Sequence, residues 1–143
     1  LESVVSDAVN MVVTQALAKD IAIDDQTMNV TILGSDQKLT QLMTILLDNA
    51  IKYSDHGTTI HLTSHTKGKL AYIGVRDEGI GMDAETLAQV FTRFYRAEKS
   101  RTTSGYGLGL AIAKKIVDAH GGKIRATSQP GKGTEFTIAL PLA

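Results

Sequence analysis

The middle of the chain carries a helix pattern that constrains the fold more than any other feature. Between residues 36 and 54, apolar side chains recur at the spacing of one helix face. They are Leu39, Leu42, Met43, Leu46, Leu47, Ala50 and Ile51. A stripe of this width predicts that the helix packs on a sheet. Ser35 is the expected N-cap, and Asp36 places a negative charge in the first turn.

Polar side chains follow one flank of this helix. At ~100° per residue, Ile45, Asn49, Lys52 and Tyr53 fall along the same edge of the apolar stripe. That edge therefore combines an amide, a cation and an aromatic ring at the margin of the core. Alone, the pattern favours a core helix with a polar margin. The glycine motifs that come later in the chain shift the interpretation towards a ligand site.

The remaining periodicities predict further helices and several strands around this helix. The other helical segments are residues 4–18, 83–90 and 108–120. The strand-like segments are residues 21–23, 28–33, 58–66, 70–76, 123–128 and 134–140. No repeat or linker divides the chain. We therefore expect one domain over residues 1–143, with an α+β fold in the form of a two-layer α/β sandwich.

Composition excludes several functional classes. The chain has 143 residues and 43% apolar side chains, enough to bury a core. Its net charge of zero gives no general attraction for nucleic acid, so we expect no nucleic-acid partner. It has no cysteine, which excludes disulfides and favours a reducing compartment. It begins at Leu1 and has no apolar run of about 18 residues, so we expect a cytoplasmic fragment of a longer protein.

The motif DEGIGM at residues 77–82 follows a strand-like segment. Asp77 continues the apolar face of that strand, so its carboxylate is expected to be buried and to need hydrogen-bond donors. An exocyclic amine on a planar ligand would serve as one. Gly79 and Gly81 are expected to leave room for a ligand against the backbone. The alternative is an ordinary turn between a strand and a helix.

The motif GYGLGL at residues 105–110 opens a predicted helix. Glycines at this position remove side chains from the path of an anion, so the free amides at the helix start can bind phosphate. The alternative is a flexible loop before the helix. The motif fits neither the dinucleotide pattern GxGxxG nor a P-loop.

Together the motifs resemble the catalytic, ATP-binding domain of bacterial sensor histidine kinases, in the GHKL family. The matching motifs, in order, are NAIKYS (residues 49–54, N box), DEGIGM (77–82, G1 box), FTRFYR (91–96, F box), GYGLGL (105–110, G2 box) and GKGTEF (131–136, last glycine box). The resemblance covers essentially the whole chain. It implies the Bergerat-type fold, in which three helices lie on one face of a mixed, mostly antiparallel sheet.

The resemblance also implies roles for individual residues. Asn49 is expected to ligate Mg²⁺ through its amide oxygen, and Arg96 to approach the γ-phosphate; these are the expected catalytic residues. Asp77 is expected to accept the adenine amino proton, which would exclude GTP. Residues 96–104 are expected to act as a lid. The remaining expected ATP-binding residues are Lys52, Tyr53, Gly79, Ile80, Gly81, Met82, Gly105, Gly107, Leu108, Gly109, Leu110 and Thr134.

The implied function is to bind Mg–ATP and to donate the γ-phosphoryl group to a histidine on a separate dimerisation domain, for later transfer to a response regulator. None of the four histidines lies in a recognisable acceptor motif, so all are interpreted as structural and the acceptor is expected outside this chain. They are His56, His61, His65 and His120. We expect a monomer for this chain alone, and a homodimer in the cell membrane for the parent protein.

Position 45 keeps other functions open. The resemblance implies a second asparagine four residues before Asn49, and related gyrase-type ATPases carry a catalytic glutamate there, but this chain has Ile45. The alternative that Ile45 supports is a nucleotide-binding pseudokinase or interaction module. An anti-sigma-factor serine kinase is a further alternative, because it shares the fold. We expect Ile45 to slow phosphotransfer without abolishing it.

Overall fold

The protein is represented by a computed structural model that describes residues 1–91 and 109–143. The described residues form helices α1 (Glu2–Ala18), α2 (Asp36–Tyr53), α3 (Ala84–Gln89) and α4 (Gly109–Ala119). They also form strands β1 (Ala22–Gln26), β2 (Thr59–Lys67), β3 (Leu70–Arg76), β4 (Lys123–Gln129) and β5 (Gly133–Pro141). None of these helices is long and apolar enough to cross a membrane.

The strands form one open sheet in the order β1-β2-β3-β5-β4. β1 and β2 are parallel, because the chain between them contains α2 and returns to the same end of the sheet. The other three pairs of neighbouring strands are antiparallel. Two tight hairpins produce this arrangement, and Gly68, at φ +60°, opens the turn between β2 and β3. The sheet is therefore mixed and mostly antiparallel, as predicted.

Helices α1, α2 and α4 cover one face of the sheet. All seven residues of the predicted apolar stripe on α2 are at most 5% exposed. They pack with the inward side chains of the sheet, which include Ile60, Leu62, Ile73, Val75, Phe136, Ile138 and Leu140. Ser35 caps α2 as expected, since its side chain accepts a hydrogen bond from the Lys38 amide at 3.2 Å. The predicted α+β sandwich is confirmed.

The prediction of a strand at residues 28–33 is wrong. In this segment only Ile32 forms a β-bridge, with Leu142. The Leu33 amide donates to the Pro141 carbonyl, and the Thr31 carbonyl accepts from the Ala143 amide, on either side of this bridge. The other hydrogen bonds go elsewhere: the Met28 amide donates to the Ser64 hydroxyl, and the Val30 carbonyl accepts from the amino group of Leu1. The segment therefore crosses from β2 to the end of β5 and has no partner strand along its length.

His120 has the structural role that was expected of it. Its Nδ1 donates to the Ile116 carbonyl at 2.7 Å, and its Nε2 accepts from the Ser35 amide at 3.2 Å. This tautomer follows because a carbonyl can only accept and a backbone amide can only donate. One imidazole thus joins the end of α4 to the start of α2, the helix that carries the N box.

Candidate nucleotide-binding site

Asp77 lies at the end of β3 and is buried, with 3% of its surface exposed. Its Oδ1 accepts hydrogen bonds from the backbone amides of Gly79 at 2.9 Å and Thr134 at 3.1 Å. No residue in the described part of the chain donates a hydrogen bond to Oδ2. An oxygen without a protein donor, on a carboxylate whose residue is otherwise buried, provides a strong acceptor for a ligand.

Burial raises the pKa of the Asp77 carboxyl, because the interior stabilises its charged form less well than water does. The hydrogen bonds from Gly79 and Thr134 act in the opposite direction, and the pKa stays above the usual value of 3.8. The charged form of Asp77 is therefore less favoured in the protein alone than it would be in water. A ligand that donates a hydrogen bond to Oδ2 would stabilise the charged form.

The G1 loop, residues 77–82, lies between the end of α2 and the hairpin of β4 and β5. The Ile80 amide donates to the Tyr53 carbonyl at 3.1 Å, and the Ile80 carbonyl accepts from the Gly131 amide at 2.7 Å. The Met82 amide donates to the Ser128 hydroxyl at 2.7 Å. The N box, the G1 loop and the last glycine box therefore meet through backbone contacts.

The structure gives a different reason for Gly79 and Gly81 than the one expected from sequence. A Cβ on Gly79 would lie 1.9 Å from the Tyr53 carbonyl oxygen. A Cβ on Gly81, which has φ +70°, would lie 2.0 Å from the Gln129 carbonyl oxygen. The room beside these two Cα atoms is filled by the protein's own backbone. The glycines therefore allow the G1 loop to dock on its neighbours.

The last turns of α2 bring Asn49, Lys52 and Tyr53 to the same end of the sheet as Asp77. Asn49 is half-buried, and its side chain forms no hydrogen bond with any residue that the structure describes. Lys52 pairs with Asp48 at 3.0 Å, and both side chains are 31% exposed. Such a pair contributes only about 0–1 kcal/mol, so an anionic ligand can compete for the Lys52 ammonium.

Lys19 supports this end of α2, and the sequence patterns did not reveal it. Its Nζ donates to the carbonyls of Ile51 at 2.8 Å and Lys52 at 3.2 Å. These carbonyls belong to the last turn of the helix, where a cation also compensates the negative end of the helix dipole. The contact joins residues more than 30 positions apart, so no local motif could have indicated it.

Ile45 lies over the start of α4. A Cβ on Gly109 would be 3.4 Å from Ile45 Cγ2, and both Ile45 and Leu110 are partly buried against the core. The side chain that replaces the expected amide is therefore also a packing contact between α2 and α4. Thr134 contributes through its backbone, since its amide donates to Asp77, and the residue as a whole is 7% exposed.

Several predicted site residues lie outside the described part of the chain, as does the expected lid at residues 96–104. They are Arg96, Gly105, Gly107 and Leu108. Within residues 1–91 and 109–143, no three His, Asp or Glu side chains are grouped so that they could hold a metal ion.

Comparisons with known proteins agree with this geometry. Residues 34–143 match the family described as histidine kinase-, DNA gyrase B- and HSP90-like ATPases. The match covers most of the chain, and the chain belongs to this family.

Individual relatives narrow the class to sensor histidine kinases. The chain is 40% identical over 133 residues to the sensor histidine kinase YkoH of Bacillus subtilis, covering 92% of this chain and 29% of that protein. It is 48% identical over 108 residues to the sensor histidine kinase WalK of the same organism, and the match covers 73% of this chain and 18% of WalK. It superposes on the mycobacterial sensor histidine kinase MprB with a TM-score of 0.91 and 29% identity, covering 99% of this chain and 95% of that one. The chain thus spans less than a third of the length of these two Bacillus relatives.

Proposed function

We propose that this chain is the catalytic domain of a sensor histidine kinase, which binds Mg–ATP and donates the γ-phosphoryl group to a histidine on a separate dimerisation domain. The observation that carries the proposal is the buried Asp77 carboxylate, whose Oδ1 is held by two backbone amides and whose Oδ2 receives no hydrogen bond from a described residue. The similarity to sensor histidine kinases supports the reaction class.

Asp77 would select adenine. Its Oδ2 can accept a hydrogen bond from the exocyclic amine of the base, and the contact is charge-assisted when the carboxylate is ionised. Guanine presents a carbonyl oxygen at the corresponding place, where two acceptors would repel each other. Ile80, which is 39% exposed, and the partly buried Met82 offer apolar surface beside the base.

Asn49 and Lys52 would bind the triphosphate side of the nucleotide. The Asn49 amide oxygen is a hard ligand that suits Mg²⁺, and the ion would neutralise charge on the phosphates when it is bound. Lys52 would exchange its pair with Asp48 for a phosphate contact. Gly109 and Leu110 contribute the start of α4, where backbone amides favour an anion. The roles of Arg96, Gly105, Gly107 and Leu108 stay predictions from the resemblance.

A phosphotransfer assay tests the proposal. The purified chain should bind Mg–ATP in calorimetry but should not label its own histidines. Added dimerisation segment from the parent protein should acquire acid-labile phosphate on its histidine, slowly, because the two parts are no longer joined. The matched control is Asp77→Asn, which should label the segment poorly at limiting ATP.

Three outcomes would contradict the proposal. ATP binding without labelling, even in the complete cytoplasmic region, would indicate a pseudokinase or interaction module. Acid-stable label on a serine of a partner would indicate the related serine kinase. Acid-labile label on His56, His61, His65 or His120 alone would place the acceptor in this chain.

Replacing Ile45 by asparagine should speed phosphotransfer and leave ATP affinity nearly constant. The new amide would add one neutral hydrogen bond in the transition state, worth about 0.5–1.5 kcal/mol, or roughly 2- to 13-fold in rate. Single-turnover labelling in the complete cytoplasmic region, with affinity measured separately, provides the test.

Ile45→Val is the control for that substitution, because it removes only the Cδ1 methyl group, keeps the Cγ2 atom that lies nearest Gly109, and adds no amide. It should leave the rate of transfer unchanged. If Ile45→Asn folds and also transfers at the wild-type rate or more slowly, then Ile45 is only a packing residue, or another group already performs the task.

A further inference from the structure

A serine on β4 joins the G1 loop to the hairpin of β4 and β5. The Ser128 hydroxyl accepts a hydrogen bond from the Met82 amide at 2.7 Å and donates one to the Gly133 carbonyl at 2.8 Å. Its oxygen also lies 2.8 Å from the Thr134 hydroxyl oxygen. All three contacts are partly buried, on the side of β4 that faces the helices.

The direction of each hydrogen bond in this group follows from the chemistry of the partners. A serine hydroxyl has one proton and two lone pairs. The Gly133 carbonyl can only accept, so the Ser128 proton is directed to it. The lone pairs then accept from the Met82 amide and from the Thr134 hydroxyl, which must be the donor in that contact. With its proton committed, Thr134 can offer a ligand or a water molecule only an acceptor.

Ser128 differs from the other groups that hold the G1 loop. The Gly79 amide is bound by Asp77 within the loop itself, and the two backbone groups of Ile80 are bound by backbone groups of Tyr53 and Gly131. Among the described residues, Ser128 is the only side chain from outside the loop that bonds to the loop's backbone. Its contact is therefore the one that a substitution can remove cleanly.

We propose that Ser128 is a positioning residue of the nucleotide pocket. It fixes Met82 on one side of the pocket and sets the hydrogen-bond direction of Thr134, whose amide holds Asp77 on the other. Ser128 acts through these residues and does not itself contact the nucleotide. This inference rests on the proposed function, because it treats the G1 loop as the adenine-binding loop.

Ser128→Ala should weaken ATP binding by roughly 2- to 13-fold, the value of one neutral hydrogen bond. Ser128→Thr should bind ATP with the wild-type affinity, because threonine keeps the hydroxyl group and a β-branched residue suits a strand. Calorimetric titration of the chain with Mg–ATP measures both. Without nucleotide, hydrogen exchange at the Met82 amide should be faster in Ser128→Ala than in the wild type.

Ile124→Ala is the matched control, because Ile124 packs against the core from the same face of β4 and is not part of this hydrogen-bonded group. It should lower the melting temperature and leave ATP affinity unchanged wherever the protein is folded. If Ile124→Ala and Ser128→Ala lose the same ATP affinity when their stabilities are equal, then Ser128 affects ATP binding only through the stability of the fold.

The remaining outcomes separate this inference from the proposed function. If the folded wild type does not bind ATP, both fail together, although Met82 exchange still reports on the hydrogen bond. If the wild type binds ATP but Ser128→Ala leaves affinity or Met82 exchange unchanged, only the positioning role is overturned.

Discussion

Replacing Asp77 by asparagine should lower the affinity for ATP by roughly 10- to 100-fold, because a charge-assisted hydrogen bond worth about 1.5–3 kcal/mol is lost. From the sequence alone, the new amide could face either way. The structure removes this ambiguity, since the amides of Gly79 and Thr134 both donate to Oδ1. The asparagine oxygen must occupy that position, and its NH₂ group then replaces Oδ2 and faces the amine of adenine.

The same geometry predicts a change in base preference. An NH₂ group at the Oδ2 position can donate to a base that carries a carbonyl oxygen in place of the adenine amine, as inosine does. The ratio of ATP affinity to ITP affinity should therefore fall in Asp77→Asn, as measured by calorimetry with each nucleotide. Equal ATP affinities in wild type and variant would remove Asp77 from the adenine site.

The stability of the nucleotide-free protein provides the control for Asp77→Asn. Because the pKa of Asp77 is raised on folding, the folded protein retains this proton to a higher pH than the unfolded chain. The free energy of unfolding of the wild type should therefore fall, relative to Asp77→Asn, as the pH rises from below 3.8 through the folded pKa. Parallel curves from urea denaturation would contradict a buried charge.

The fold is predictable from the sequence wherever one local pattern determines one local structure. The spacing of apolar residues on α2 gave its buried face, and alternation along β3 gave the burial of Asp77. The glycine-containing turn at Gly68 gave the first hairpin. For the helix and the strand, a period of 3.6 or two residues is enough to decide which side chains face the core.

Contacts that join distant parts of the chain are not predictable from the sequence in this way. Residues 28–33 have the composition of a strand, but the neighbouring elements leave them no partner strand. Lys19 and Ser128 carry no signal of their own, because each acts on residues far away in the sequence. Gly79 and Gly81 were recognised as a motif, but their reason lies in carbonyls contributed by Tyr53 and Gln129.

The position of the Asp77 carbonyl group also depends on a glycine that is distant in the sequence. Gly133, at φ +92°, begins β5, and a Cβ there would lie 2.2 Å from the Asp77 carbonyl oxygen. The backbone of Asp77 cannot move aside easily, because its amide donates to the Thr134 carbonyl at 2.9 Å and its Oδ1 accepts from the Thr134 amide. Gly133 therefore fixes how closely the last glycine box approaches the G1 loop.

Gly133→Ala should destabilise the fold by about 2–5 kcal/mol, through left-handed backbone strain and overpacking together. This is a large part of the roughly 5–15 kcal/mol that holds a typical domain folded. Urea denaturation of the chain measures the loss. Any folded Gly133→Ala protein should also bind ATP more weakly, because the new methyl group displaces Asp77 or the hairpin that holds it.

Gly131→Ala separates the two parts of this effect. Gly131 lies in the same hairpin and also has a positive φ, of +78°, but nothing lies within 4 Å of the Cβ position there. Its substitution should cost only the conformational strain, roughly 1–2 kcal/mol, and should leave ATP affinity near the wild-type value. The excess loss in Gly133→Ala then measures the contact with the Asp77 carbonyl. If the two variants lose the same stability and the same affinity, that contact does not hold the G1 loop in place, and the position of Asp77 must be maintained by its hydrogen bonds alone.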